Sequence, residues 1–177
     1  MRIVVISCSL DPASRSRVLA EAAVEELSSQ GVEVKFVDLR EIDLPMCDGD
    51  SAFAAASSRQ MAREVADASA IVLAVPIYNY DVNAAAKNLI ELTGRVWQDK
   101  VVGFLCAAGG QGSYMSIMGL ANSLMLDFRC LIIPRFVYAT GEAFVDEKLA
   151  SEKVLERLRD LCGRLVQIAG ALETTKI

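Results

Sequence analysis

Ala70-Ile71-Val72-Leu73-Ala74-Val75 contains no polar residue and is closed by Pro76. A short run that is apolar at every position and stopped by a turn residue marks a strand covered on both faces. Such strands belong to parallel sheets held between layers of helices. Val101 to Ala107 repeats the pattern. Arg2 to Ser7 is a third β-rich run, and it breaks into a polar loop beginning Cys8-Ser9-Leu10-Asp11-Pro12.

Between these runs the apolar period lengthens. From about Ser16, Val18, Leu19, Ala22, Ala23 and Leu27 recur at helical spacing and stop near Gln30-Gly31. Val32 to Asp38 reads as a second strand, residues 39–57 as irregular, and Ser58 to Ala68 as a helix. After a loop at 76–82, Asn83 can cap a helix that runs to Thr93-Gly94. Ser113 to Phe128 and Glu147 to Ala169 read as the last two helices, with Leu131 to Ile133, extended toward Val137, as a fifth strand between them. Strands alternating with helices imply right-handed crossovers. The usual five-stranded solution is a doubly wound α/β parallel sheet in the order 2-1-3-4-5, with helices on both faces. Ligands of such sheets bind at the carboxyl ends of the strands, beside the switch point between strands one and three. One domain, 1–177, is expected, with roughly 70% of its unfolded surface buried on folding.

The chain contains no histidine. That removes Ser-His-Asp and Cys-His nucleophile pairs, histidine bases and histidine metal sites, and leaves chemistry that a cofactor carries largely by itself. With 18 Lys and Arg against 23 Asp and Glu, the net charge of −5 supplies no basic footprint for nucleic acid or anionic lipid. The five cysteines include no C-x-x-C pair, which argues against a disulfide framework or a zinc cluster. Cys8 and Cys106 fall near strand ends close to the expected site, where a redox role competes with the commoner reading as buried structural thiols. The run before Cys8 is too short for an export signal, and none approaches the ~20 apolar residues that span a bilayer. The expected location is therefore the cytoplasm.

Three loops carry the functional signal. The first offers Ser9, Ser14, Arg15, Ser16 and Arg17 at the start of a helix, where free backbone N–H groups and the positive end of the dipole suit a phosphate dianion. The competing reading is that Ser14 or Ser16 only caps the helix while the arginines are solvated. The loop has neither G-x-G-x-x-G nor Gly-Lys-Ser/Thr, so a monophosphate fits better than a pyrophosphate. The second loop, Pro76-Ile77-Tyr78-Asn79, and the third, Gly109-Gly110-Gln111-Gly112-Ser113, can let backbone come close to a flat ring system. Tyrosines on the surface and glycines in a plain turn are the alternatives there.

The strand followed by Pro-x-Tyr-Asn, small residues and Lys87-Asn88 resembles the NADPH-dependent FMN reductase family. The serine-rich first loop is similar to that family's phosphate loop, and Gly109-Gly110 to its segment beside the flavin. The resemblance implies a flavodoxin-like fold, FMN as cofactor and NAD(P)H as hydride donor. It also implies a small-molecule acceptor (free flavin, a quinone, an azo compound or a metal oxyanion) and assembly as a homodimer or homotetramer. Asp11, Asn83 and Cys8 stand where many members have arginine, proline and glycine. An acidic Asp11 near a phosphate must turn outward or pair with Arg15 or Arg17. Between Ser113 and Phe128 apolar residues occupy more than one helix face, as a subunit contact would require. A flavodoxin-type FMN electron carrier without NAD(P)H activity is the main alternative. A receiver-like signalling module would need acidic residues where Cys8-Ser9 and Pro76-Ile77 stand.

Overall fold

A computed structural model of the chain describes residues 1–174; the end of the expected domain, 175–177, lies outside them. Strand β1 spans Arg2–Ser7, β2 Glu33–Asp38 and β3 Ala70–Tyr78, and β3 is buried at every position but its last. β3 lies between β1 and β5 (Val101–Ala107), parallel to both, while β2 pairs with the far side of β1. Burial along β2 is only partial, as befits the edge of the sheet, whereas β5 is buried throughout.

The path β2-β1-β3-β5, continued by β6 (Leu131–Ile132), matches the expected order, but the sheet has seven strands rather than five. One addition is β4 (Asp81–Val82), an antiparallel partner of β3. The other arises because the fifth strand is cut into β6 (Leu131–Ile132) and β7 (Val137–Ala139), both parallel to β5. Ile133 N–H still donates to Val102 O at 2.8 Å. Pro134 then has no N–H to continue the ladder, and Arg135 at φ +61° turns the chain away until Val137.

Helices α1 (Arg15–Ser29) and α5 (Glu152–Thr174) cover one face, burying Leu19, Ala23, Leu158 and Leu161 against Ile3, Val5 and Val72. Helices α2 (Ala56–Ala66), α3 (Ala84–Thr93) and α4 (Met118–Phe128) cover the other, with Met61, Leu89 and Leu124 against Val4, Ile71 and Phe104. α1 ends where glycine predicts, with Gly31 at φ +75°. Two helices begin later than expected. Gln111–Ile117 forms a 3-10 segment ahead of α4. Glu147 lies in a hairpin of β8 (Phe144–Val145) and β9 (Lys148–Leu149), whose turn residues Asp146 and Glu147 both have positive φ. Within the irregular 39–57 segment, Asn88 of α3 clamps the chain from both sides. Its Oδ1 accepts from Cys47 N–H at 2.8 Å, and its Nδ2 donates to Pro45 O at 2.9 Å.

α5 crosses β5 closely at Gly103, where a Cβ would lie 3.0 Å from Leu161 Cδ2 and 3.3 Å from Leu165 Cδ1. Gly103→Val should therefore lower unfolding stability by about 1–3 kcal/mol through overpacking, read as an earlier denaturation midpoint at an unchanged denaturant slope.

Candidate active site

The site is created by strands of unequal length. β1 follows β3 only as far as Ala74, whose carbonyl accepts from Cys8 N–H at 2.9 Å. Pro76 lies two residues further along β3, so by strand alternation its missing N–H faces the side that β1 has vacated and breaks no ladder. β3 consequently continues to Tyr78 instead of stopping at Val75, and the expected loop 76–82 is a tight hairpin into β4. Its turn residues, Asn79 at φ +51° and Tyr80 at φ +64°, have the sign that a two-residue hairpin turn demands. Asn tolerates this conformation, whereas Tyr80 holds it at a cost of roughly 1–2 kcal/mol.

Asn83 precedes α3 but does not cap it through its side chain, as the sequence led us to expect. Its Nδ2 instead donates to Cys8 O at 2.6 Å, tying the end of the hairpin to the end of β1. The backbone of Cys8 is thereby engaged at both its N–H and its C=O.

At this edge opens a cleft of about 1140 Å³, walled by Ser14 to Arg17, Pro76 to Asn79, and Gly109. Parts of all three signal-bearing loops thus meet. A Cβ at Gly109 would meet nothing within 4 Å, so a bare backbone borders open space here. The remaining expected residues stand off the cleft wall. Ser9 is buried, its Oγ accepting from Asp11 N–H at 3.2 Å. Gly110 O accepts from Tyr138 Oη at 2.6 Å. Gln111, Gly112 and Ser113 belong to the 3-10 segment, and Gln111 faces a separate pocket.

The capping reading of the first loop holds for one serine. Ser14 is the N-cap of α1, its Oγ accepting from Arg17 N–H at 3.3 Å and lying 2.9 Å from Ser16 Oγ. Both serines also line the cleft. Asp11 also lines the cleft, with its Oδ1 engaged inside its own loop, accepting from Ala13 N–H at 2.9 Å. The arginines are held unequally. Arg17 lies 2.9 Å from the buried carboxylate of Asp38 and 2.9 Å from Glu21, whose hydrogen bond raises the arginine's pKa. Arg15 has no carboxylate partner among the described residues. It lies against Gly141, with its guanidinium 5.9 Å from the centre of the Phe144 ring, within cation–π range.

Sequence reasoning missed Arg40, Phe144, Asp146 and Glu147, which also line the cleft, and Tyr138, which braces Gly110 from behind. The position of Arg40, two residues past Asp38 where the second strand ends, was its only signal; Glu147 was hidden by being read as the start of a helix, and Phe144 and Asp146 stand just ahead of that expected helix.

The doubly wound sheet and a cleft at its carboxyl edge define a flavodoxin-like α/β protein. Residues 1–144 match the NADPH-dependent FMN reductase family, and the chain belongs to it. It is 27% identical over 146 residues to the NAD(P)H-dependent FAD/FMN reductase of Geobacillus thermodenitrificans, covering 81% of this chain and 79% of that one. It is 25% identical over 179 residues to the NADH-dependent FMN reductase SfnF of Pseudomonas fluorescens, covering 96% and 92%. Among solved structures, the flavoenzyme FerB, an NAD(P)H:(acceptor) oxidoreductase of Paracoccus denitrificans, superposes with a TM-score of 0.79 at 20% identity over 96% of this chain and 97% of that one. No described helix is long and apolar enough to cross a membrane.

Cys8 and Cys106 are fully buried, and burial pushes both thiols far up; for Cys8 the nearby Asp38 charge adds to this. Burial also raises Cys130 to about 11 and Cys162 to about 12. A thiol raised this far stays protonated and unreactive at pH 8, which leaves half-buried Cys47. Ellman's reagent at that pH should titrate one thiol promptly in the native protein and all five after unfolding.

Proposed function

We propose that the protein is an NAD(P)H-dependent FMN reductase, passing a hydride from the nicotinamide through FMN to a small-molecule acceptor. The observation that carries this is the meeting, in one cleft, of the α1 amino terminus with Ser14, Arg15 and Ser16, the Pro76–Asn79 wall, and Gly109. The residues present fit the cofactor. The first N–H groups of α1 and the serine hydroxyls would hold its phosphate, with Arg15 supplying positive charge that no carboxylate takes up. The strand end at Pro76 to Asn79 and the side-chain-free edge at Gly109 would border its ring system. The volume of about 1140 Å³, above the usual ~300–1,000 Å³, leaves space for a second ligand beside the first. FMN, when bound, supplies the hydride chemistry, so the chain needs no general acid or base of its own. The protein's part is to orient the ring, neutralise the phosphate and narrow the access of water. Free flavin, quinones, azo compounds and metal oxyanions are the acceptor classes to test.

The test is a titration of FMN by fluorescence quenching combined with NADPH and NADH consumption under air. Binding with turnover is expected; binding without turnover would favour an electron carrier. Replacing both Ser14 and Ser16 by alanine should weaken FMN binding by about tenfold or more, since each removes a hydrogen bond to a charged group worth about 1.5–3 kcal/mol.

We further propose that the chain assembles as a homodimer or homotetramer through α4. The helix buries Leu120, Ala121 and Leu124 but leaves Met115 ahead of it, Met118, Met125 and Leu126 on the surface, with Leu126 85% exposed. An unfilled apolar stripe of this kind marks a contact surface. Light scattering after gel filtration should give a multiple of the 19.1 kDa chain mass, and Met118→Asp with Leu126→Asp should return it to a monomer.

A further inference from the structure

A second pocket of about 470 Å³ lies on the far side of the Gly109–Gln111 segment from the main cleft. The two share a wall. Gly109 faces the cleft and Gln111 the pocket, Phe144 faces the cleft and Ala143 the pocket, and Tyr138 Oη donates to Gly110 O between them.

One side of the pocket is aromatic. Tyr114 lies 4.9 Å from Phe136 and 5.3 Å from Tyr138, centre to centre. The first two turns of α5 also line it, contributing Lys153 and Arg157. Neither forms an ion pair among the described residues, although the chain as a whole is acidic and pairs many of its arginines. Glu142 is the one carboxylate on the lining, so the pocket is net positive. Thr140 also lines it. That residue is 8% exposed.

Aromatic rings and two cations without ion pairs among the described residues, brought into one pocket, suit a planar base bearing a phosphate. The base stacks on the rings, while lysine supplies a point charge and arginine a paired donor to the phosphate oxygens. We infer that this pocket receives the 2′-phosphoadenosine end of NADPH, and that Lys153 and Arg157 make the protein prefer NADPH to NADH. The inference rests on the nicotinamide-dependent reading above: with nicotinamide in the main cleft beside Gly109, the dinucleotide crosses the 109–111 wall to place its adenosine in the second pocket. NADH lacks the 2′-phosphate and so leaves both cations unanswered.

The test compares 2′,5′-ADP with 5′-ADP as ligands of the unaltered protein by calorimetry, then repeats the comparison on Lys153→Ala combined with Arg157→Ala. The 2′,5′-isomer should bind at least about tenfold more tightly to the unaltered protein, and the margin should shrink with added salt. In the double variant the margin should vanish, and the ratio of kcat/KM for NADPH to that for NADH should fall by about tenfold or more. Equal affinities in the unaltered protein, or a margin that survives the double substitution, would overturn the assignment. Selective 2′,5′-ADP binding by a protein that oxidises neither dinucleotide in the presence of FMN would instead remove the reductase reading and leave the pocket as a phosphonucleotide site.

Discussion

The peptide at Cys8 is the pin on which the functional edge turns. Its N–H completes the last rung between β1 and β3, and its carbonyl is taken by the Asn83 side chain, so the chain must leave the sheet at this point. β3 meanwhile runs on to Tyr78. The difference in length between the two strands is the floor of the cleft, and Pro76 can occupy it because no neighbour there asks for a donor. α1 then begins above the vacated rungs, with its amino end toward the same space. Sheet topology decides which edge carries the site; the Cys8 and Asn83 contact decides how deep it is.

Charge at that edge is arranged around one buried carboxylate. Asp38, at the end of β2, accepts from Arg40 N–H at 3.0 Å, and its other oxygen lies 2.9 Å from Arg17 and 3.7 Å from Arg40. A buried carboxylate is tolerable only with such company, since removing one partner would leave an uncompensated charge. The arrangement holds two arginines beside the cleft at fixed positions and absorbs part of their field. Arg15, stacked on Phe144 instead, retains more of its own.

The parts of this structure legible in the amino-acid sequence are those set by local pattern. The apolar runs at Ala70 and Val101 became central strands, Gly31 ended α1, and the three signal-bearing loops arrived at one edge because the winding order allows little else. What was hidden depended on partners distant in sequence. Pro76 reads as a stop, yet it is harmless because a strand some seventy residues earlier has already ended. Asn83 reads as a cap, but its Nδ2 is held by the distant Cys8 carbonyl, and its buried Oδ1 caps nothing. The turns at Asn79-Tyr80 and Asp146-Glu147 need positive φ at Tyr80 and Glu147, residue types that seldom supply it, so neither hairpin announced itself and the second half of the later one was absorbed into the helix expected from Glu147. Arg40 acts from just past the end of β2 and Tyr138 from the middle of β7 beside Cys106, placements that no spacing within the sequence encodes.

The short stretch from Gly141 to Phe144 serves two masters. One side is the plate on which the Arg15 guanidinium rests, close enough that a Cβ at Gly141 would lie 3.1 Å from its Nη1. The other side, through Glu142 and Ala143, walls the second pocket. Occupants of the two cavities therefore lean on a common partition. Whatever free energy one guest gains or loses by its displacement is returned to the other in equal measure, a reciprocity that holds without any wire of residues between them.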